Sequence, residues 1–183
     1  MEKVINTKEE RIFLDSLKDI VKSARKYAYS SICFAQVQSN WMLGKRIVEQ
    51  IQKGNDKAEY GKHILKIASE SLTEEFGKGY DESNLRYMRL FYKTFPICDA
   101  LRHELSWTHY RRLLSIENED ARIWYMNEAA NSMWSTRQLD RQISTLYYDR
   151  LLASHDKKIV IEEAEEKLQK VIPEEFIKDP YIL

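Results

Sequence analysis

Between Glu9 and Ile51 apolar residues recur at alternating steps of three and four, and neither glycine nor proline interrupts the run before Gly44. Phe13, Leu17, Ile20, Ala24 and Tyr27 continue through Phe34 and Trp41 to Leu43, Ile47 and Ile51. A pattern with this period fits a helix and cannot sit on a strand, whose period is two. It predicts either one very long N-terminal helix or two helices broken near Tyr29-Ser30-Ser31, where helix propensity is weakest. The rest of the chain agrees. Five Gly and three Pro in 183 residues are too few for the turns of a sandwich, a barrel or a glycine-lined nucleotide fold. With 43% hydrophobic and 32% charged residues, the chain can bury a core of its own. The expected fold is all-α, a multi-helix bundle with a long N-terminal helix and no strand.

Capping residues and breakers divide the remainder. Lys53-Gly54-Asn55-Asp56 is a helix stop, and a second helix is expected over 61–76. Gly77-Lys78-Gly79-Tyr80-Asp81 forms a tight turn whose glycines can take positive φ. Asp81 or Ser83 caps a third helix over 83–95, which Pro96 ends. Ser106, Asn118 and Ser135 cap helices over 106–116, 118–132 and 135–152. A last helix over 156–171 aligns Ile161, Ala164, Leu168 and Val171 and stops at Pro173. Apolar stripes on the first and last helices exceed what one small bundle covers, so a homodimer through either helix is expected.

Charge excludes little. Lys plus Arg and Asp plus Glu both number 29, so no global attraction to nucleic acid or membrane follows. Residues 153–183 carry five basic against eight acidic side chains, which leaves a net +3 on 1–152. Cys33 and Cys98 have no second ligand at metal spacing and are read as buried thiols. No signal peptide and no apolar run long enough for a membrane span are present, so the expected location is cytoplasmic.

The turn between the second and third helices carries the most chemistry. Two short helices joined by a glycine-containing turn match a helix-turn-helix, whose second helix can enter a DNA major groove. On that helix Leu85, Met88, Tyr92 and Phe95 make the apolar face. At about 100° per residue Arg86, Arg89 and Lys93 gather on another face. Asn84 and Tyr87 lie near the helix start, where base-reading side chains sit, and Lys78 lies in the turn. Arg suits guanine or phosphate, and Asn suits adenine. Spacing by itself favours a solvated basic face on a structural hairpin, and Glu82 nearby weakens any phosphate field.

A secondary cluster, Trp107 to Arg112, mixes aromatic rings with His109, Arg111 and Arg112. It suits base stacking and phosphate contact, or equally a helix start with core aromatics. Ser106 and His109 make no nucleophile pair, because Ser106 serves as N-cap and no third group is apparent. Glu162, Glu163, Glu165 and Glu166 read as a solvated face. No phosphate loop, dinucleotide fingerprint or metal-ligand cluster appears, so no cofactor and no metal are expected, and this segment is not read as an enzyme.

One ordered set of motifs is specific. Trp41-Met42-Leu43-Gly44-Lys45-Arg46-Ile47, Tyr60-Gly61, Leu72-Thr73-Glu74-Glu75-Phe76-Gly77-Lys78-Gly79-Tyr80, Asn84-Leu85-Arg86-Tyr87-Met88-Arg89, Phe91-Tyr92, Leu105-Ser106-Trp107-Thr108-His109-Tyr110 and Trp134-Ser135-Thr136-Arg137-Gln138-Leu139 resemble the N-terminal domain of YhcG-type bacterial proteins. That resemblance implies a helical module that binds DNA through a helix-turn-helix and serves a PD-(D/E)XK-type nuclease domain. In such proteins the nuclease domain follows a segment similar to Phe176-Ile177-Lys178-Asp179-Pro180-Tyr181-Ile182-Leu183. Residues 1–152 are therefore expected to be the helical domain. Residues 153–183 are expected to be an acidic amphipathic helix and linker toward a nuclease domain that this chain lacks. The expected DNA-binding residues are Lys78, Asn84, Arg86, Tyr87, Arg89 and Lys93, with His109, Arg111 and Arg112 as a second set. The rival reading is a protein-interaction or dimerisation module without nucleic-acid contact. An enzyme centred on Trp107, His109 and Arg111 ranks last.

Overall fold

The computed structural model describes residues 8–54 and 58–169, without the side chains of 165–169. Among the described residues there are eight α-helices and no strand: α1 (Lys8–Lys53), α2 (Ala58–Phe76), α3 (Glu82–Thr94), α4 (Trp107–Leu113), α5 (Glu119–Asn131), α6 (Thr136–Ser144), α7 (Tyr147–Ala153) and α8 (Lys157–Gln169). A single 3-10 turn, Cys98–Ala100, lies between α3 and α4. The expected Leu168 packing, Val171, the Pro173 stop and the Phe176–Leu183 segment lie outside what is described.

Helix α1 is one unbroken element of 46 residues. Tyr29, Ser30 and Ser31 do not break it. The Ser31 hydroxyl donates to the Tyr27 carbonyl at 2.9 Å, and Ser30 donates across to the His103 carbonyl at 3.1 Å. Weak propensity is overridden where side chains hold the turn from both sides.

The second half of α1 is the spine of the body. Val37 and Trp41 join Phe91, Phe95, Leu105, Tyr110, Leu113, Tyr125, Ala129, Trp134 and Leu139 in the principal core, which takes residues from α1 and α3 through α8. A smaller core closes the other end, where Ile47 and Ile51 of α1 meet Ile64 and Leu65 of α2 and Leu85 and Met88 of α3. Trp107 packs against both. Helix α3 lies so close to α1 that a Cβ on Gly44 would overlap the Met88 carbonyl oxygen, 2.7 Å from its carbon and 3.1 Å from Tyr92 Cβ. The Trp41 indole N–H donates to the Phe95 carbonyl at 2.7 Å and its ring meets the Tyr92 ring edge-on.

The expected helix over 135–152 is two helices, because Leu146 takes φ 51°, ψ 45° and turns the chain between α6 and α7. Apolar spacing runs through that kink undisturbed, so it leaves no trace in the pattern. Met133 (φ 48°) similarly ends α5 in a left-handed position, with Trp134 N–H bonded to the Ala129 carbonyl and Met133 N–H to the Ala130 carbonyl. That is a Schellman ending in which a non-glycine residue bears a steric cost of about 1–2 kcal/mol. Cys33 and Cys98 are partly rather than fully buried. Ala164 of α8 is buried in the principal core, and Arg150 of α7 pairs with Glu163 at 2.8 Å.

Candidate nucleic-acid interface

The turn 77–81 sets where α3 begins. Gly77 (φ 79°) and Gly79 (φ 114°) occupy left-handed backbone that a side chain would strain. Asp81 then caps α3, its carboxylate accepting from the Asn84 backbone N–H at 3.0 Å. The Asn84 side chain is committed to the same turn. Its amide donates to the Gly79 carbonyl at 3.1 Å and to the Asp81 carboxylate at 3.2 Å. Asn84 therefore acts first as a brace for the turn, an outcome that Asp and Asn three residues apart at a helix start signal in retrospect.

Leu85, Met88 and Phe91 are buried, and Arg86, Leu90 and Lys93 are exposed on the opposite flank. Arg86 reaches back to Glu82 at 2.8 Å, both side chains largely open to water. Such a pair is worth at most about 1 kcal/mol, so a phosphate can displace Glu82 readily. Among the described residues no side-chain hydrogen bond or ion pair engages Lys78, Arg89 or Lys93. Arg89 is half-buried on the edge of the same face.

The second cluster divides. His109 is buried and closes a structural circuit: its Nδ1 accepts from the Ser106 backbone N–H at 3.1 Å, with the Ser106 hydroxyl 2.8 Å away. Its Nε2 lies 2.9 Å from the Trp134 carbonyl. A carbonyl can only accept, so Nε2 carries the proton and Nδ1 is the acceptor. Burial holds the imidazole below its ordinary pKa, opposed by the Trp134 bond. Arg112 turns away to Asp140, 3.5 Å distant on α6. Arg111 instead crosses to α3, its guanidinium 4.5 Å from the centre of the Tyr87 ring. Thus of the second set only Arg111 joins the α3 surface. Sequence reasoning named both partners and missed their union, because residues 24 positions apart meet only through the packing of Phe91 on Trp107 and Tyr110.

This arrangement offers guanidinium and ammonium groups at a solvated helix flank, an aromatic ring at its edge, and no group placed for acid–base or nucleophilic work. Comparison with known proteins gives the family of the chain. The DUF1016 N-terminal domain family matches residues 16–150. The chain belongs to that family. A relative in Escherichia coli (strain K12), named "Putative nuclease YhcG", is 31% identical over 201 residues, covering 92% of this chain and 54% of the relative. The chain thus spans about half the length of that protein. No solved structure matches it. Two further facts bear on the site. Among the described residues no three His, Cys, Asp or Glu side chains are grouped to hold a metal ion. No helix there is long and apolar enough to cross a membrane.

Proposed function

We propose that this chain is the DNA-binding module of a nuclease-associated protein, non-catalytic by itself, with α2, the 77–81 turn and α3 acting as a helix-turn-helix. The observation that carries the reading is the cationic flank of α3. Arg86, Arg89 and Lys93 lie off its apolar face, and Arg111 of α4 extends the flank across Tyr87. Phosphate contacts of this kind supply most of the affinity of a DNA-binding protein without requiring a basic chain overall. The Tyr87 ring, backed by Arg111, provides a stacking or sugar-packing edge beside the cations. The relative's name supports a nuclease domain as the functional partner. Cytoplasmic location accords with a DNA ligand.

The test is a salt titration of fluorescent duplex binding. Replacing Arg86, Arg89 and Lys93 together with Ala is expected to weaken binding and to lower the slope of log affinity against log salt by about 0.9 for each phosphate that is no longer neutralised. The fold should survive, since these side chains fill no core. Leu85→Ala, by contrast, is expected to cost about 2–5 kcal/mol of stability through the cavity it leaves. A wild-type chain without duplex affinity at low salt overturns the DNA reading in favour of an interaction module.

A further inference from the structure

The first half of α1 leaves the body altogether. Every residue from Lys8 to Tyr29 is exposed, Phe13 at 60%, Ile20 at 65% and Tyr27 at 77%. Lys26, 3.2 Å from Met133 Sδ, and Ser30 on the His103 carbonyl mark the root of this arm. The 18 residues outward from Arg25 extend about 27 Å. Phe13, Leu17, Ile20, Ala24 and Tyr27 step by four and three, with Leu14, Val21 and Ala28 alongside, so three positions in every seven are apolar. Asp15, Lys18, Asp19, Lys22, Arg25 and Lys26 all fall outside that stripe. A helix of this length is marginal in water unless its apolar face is covered.

We propose that the arm pairs with the arm of a second copy of this chain, antiparallel, across a two-fold axis. Charge selects both the partner and the direction. Residues 8–19 carry the acids Glu9, Glu10, Asp15 and Asp19 against the cations Lys8, Arg11 and Lys18, a net charge of −1, whereas residues 20–29 carry Lys22, Arg25 and Lys26 and no acid, a net +3. Running two arms in opposite directions sets the stretch of net charge −1 of each against the stretch of net charge +3 of the other, twice by symmetry. It also opposes the helix dipoles. A parallel pair would stack the three cations of one arm on those of its mate. Area agrees. Aromatic and large aliphatic side chains at these exposures leave on the order of 600 Å² open per protomer, near the roughly 800 Å² per partner of a standard interface. Exposed Met133 at the root adds to it.

Light scattering of the full chain over a concentration series tests the pairing. Wild type is expected at twice the monomer mass. Leu17→Glu with Ile20→Glu, both outside the body's core, is expected to leave the body folded and to weaken association more than 100-fold. Lys22→Gln with Arg25→Gln separates the two directions. It removes attraction from the antiparallel pair, weakening it about three- to tenfold at low salt, but removes repulsion from a parallel one. A monomer at every concentration, because the face is covered by the chain's own tail or by another protein, overturns the proposal. So does a dimer that survives the glutamates or tightens with the glutamines.

Discussion

His109 shows how a residue that looks chemical can be wholly structural. Its ring does for α4 what Gln138 does for α6, where Gln138 Oε1 accepts from the Ser135 N–H at 2.7 Å and the Ser135 hydroxyl accepts from the Gln138 N–H at 3.2 Å. The difference is that an imidazole titrates. Because the folded pKa lies below the unfolded value of about 6.5, the unfolded chain binds the extra proton first. The contribution of His109 is then complete above about pH 6.5 and is lost as pH falls toward the folded value. His109→Gln should keep the cap and remove this pH dependence. At neutral pH it should cost about 1 kcal/mol or somewhat more, since the Trp134 carbonyl loses its donor. Denaturant midpoints at pH 8, 7, 6 and 5 check both, and an unchanged slope in the variant refutes the assignment. The sequence showed Ser106 as a cap. It could not show that the residue three positions on completes the cap, because the deciding partner, Trp134, is 25 residues away.

At the scale of elements, periodicity and caps foretold much. The starts of α3, α4, α5 and α6 fall directly after Asp81, Ser106, Asn118 and Ser135. Position along the chain failed where backbone conformation, rather than pattern, decided the matter, as at Leu146. The pairing of α1 with α3 had its signal in Gly44, a glycine inside a helix that propensity alone disfavours by about 1 kcal/mol. Its role is to let two backbones touch. In Gly44→Ala the new methyl meets the Met88 carbonyl, which cannot rotate away. The helices must part, and the expected cost is about 3 kcal/mol, more than the propensity gained. Thermal melting beside wild type measures it, and a variant at or above wild-type stability would show that the two helices separate without loss. The Met88 and Tyr92 neighbours also link this defect to α3, so duplex affinity should fall with stability.

On the scale of the molecule, the candidate DNA surface was half legible. The three cations of α3 follow from helical arithmetic on one segment, and the structure keeps them off the core. The redirection of Asn84 into its turn is local, made with Gly79 and Asp81, whereas the separation of Arg111 from Arg112 and His109 depends on packing between α3, α4 and α6 that no local pattern encodes. The exposed N-terminal stripe was legible as apolar surplus. Where the body stops and the arm begins was not, since the period is the same on both sides of Lys26.

Because α1 runs unbroken from Lys8 to Lys53, it works as ruler and protractor at once. One end carries the proposed pairing seam and the other clasps α3 at Gly44, with every intervening residue adding about 1.5 Å and about 100°. Two bodies joined through their arms thus present their basic flanks at a separation and mutual angle counted out in residues. A single alanine inserted between Ala28 and Tyr29 should swing each body by about 100° about its rod. Seven inserted residues should restore the angle to within about 20° and lengthen the pair by about 20 Å. Small-angle scattering of the three chains reads this directly. An identical particle in all three would mean that the rod bends at its root and sets neither distance nor phase.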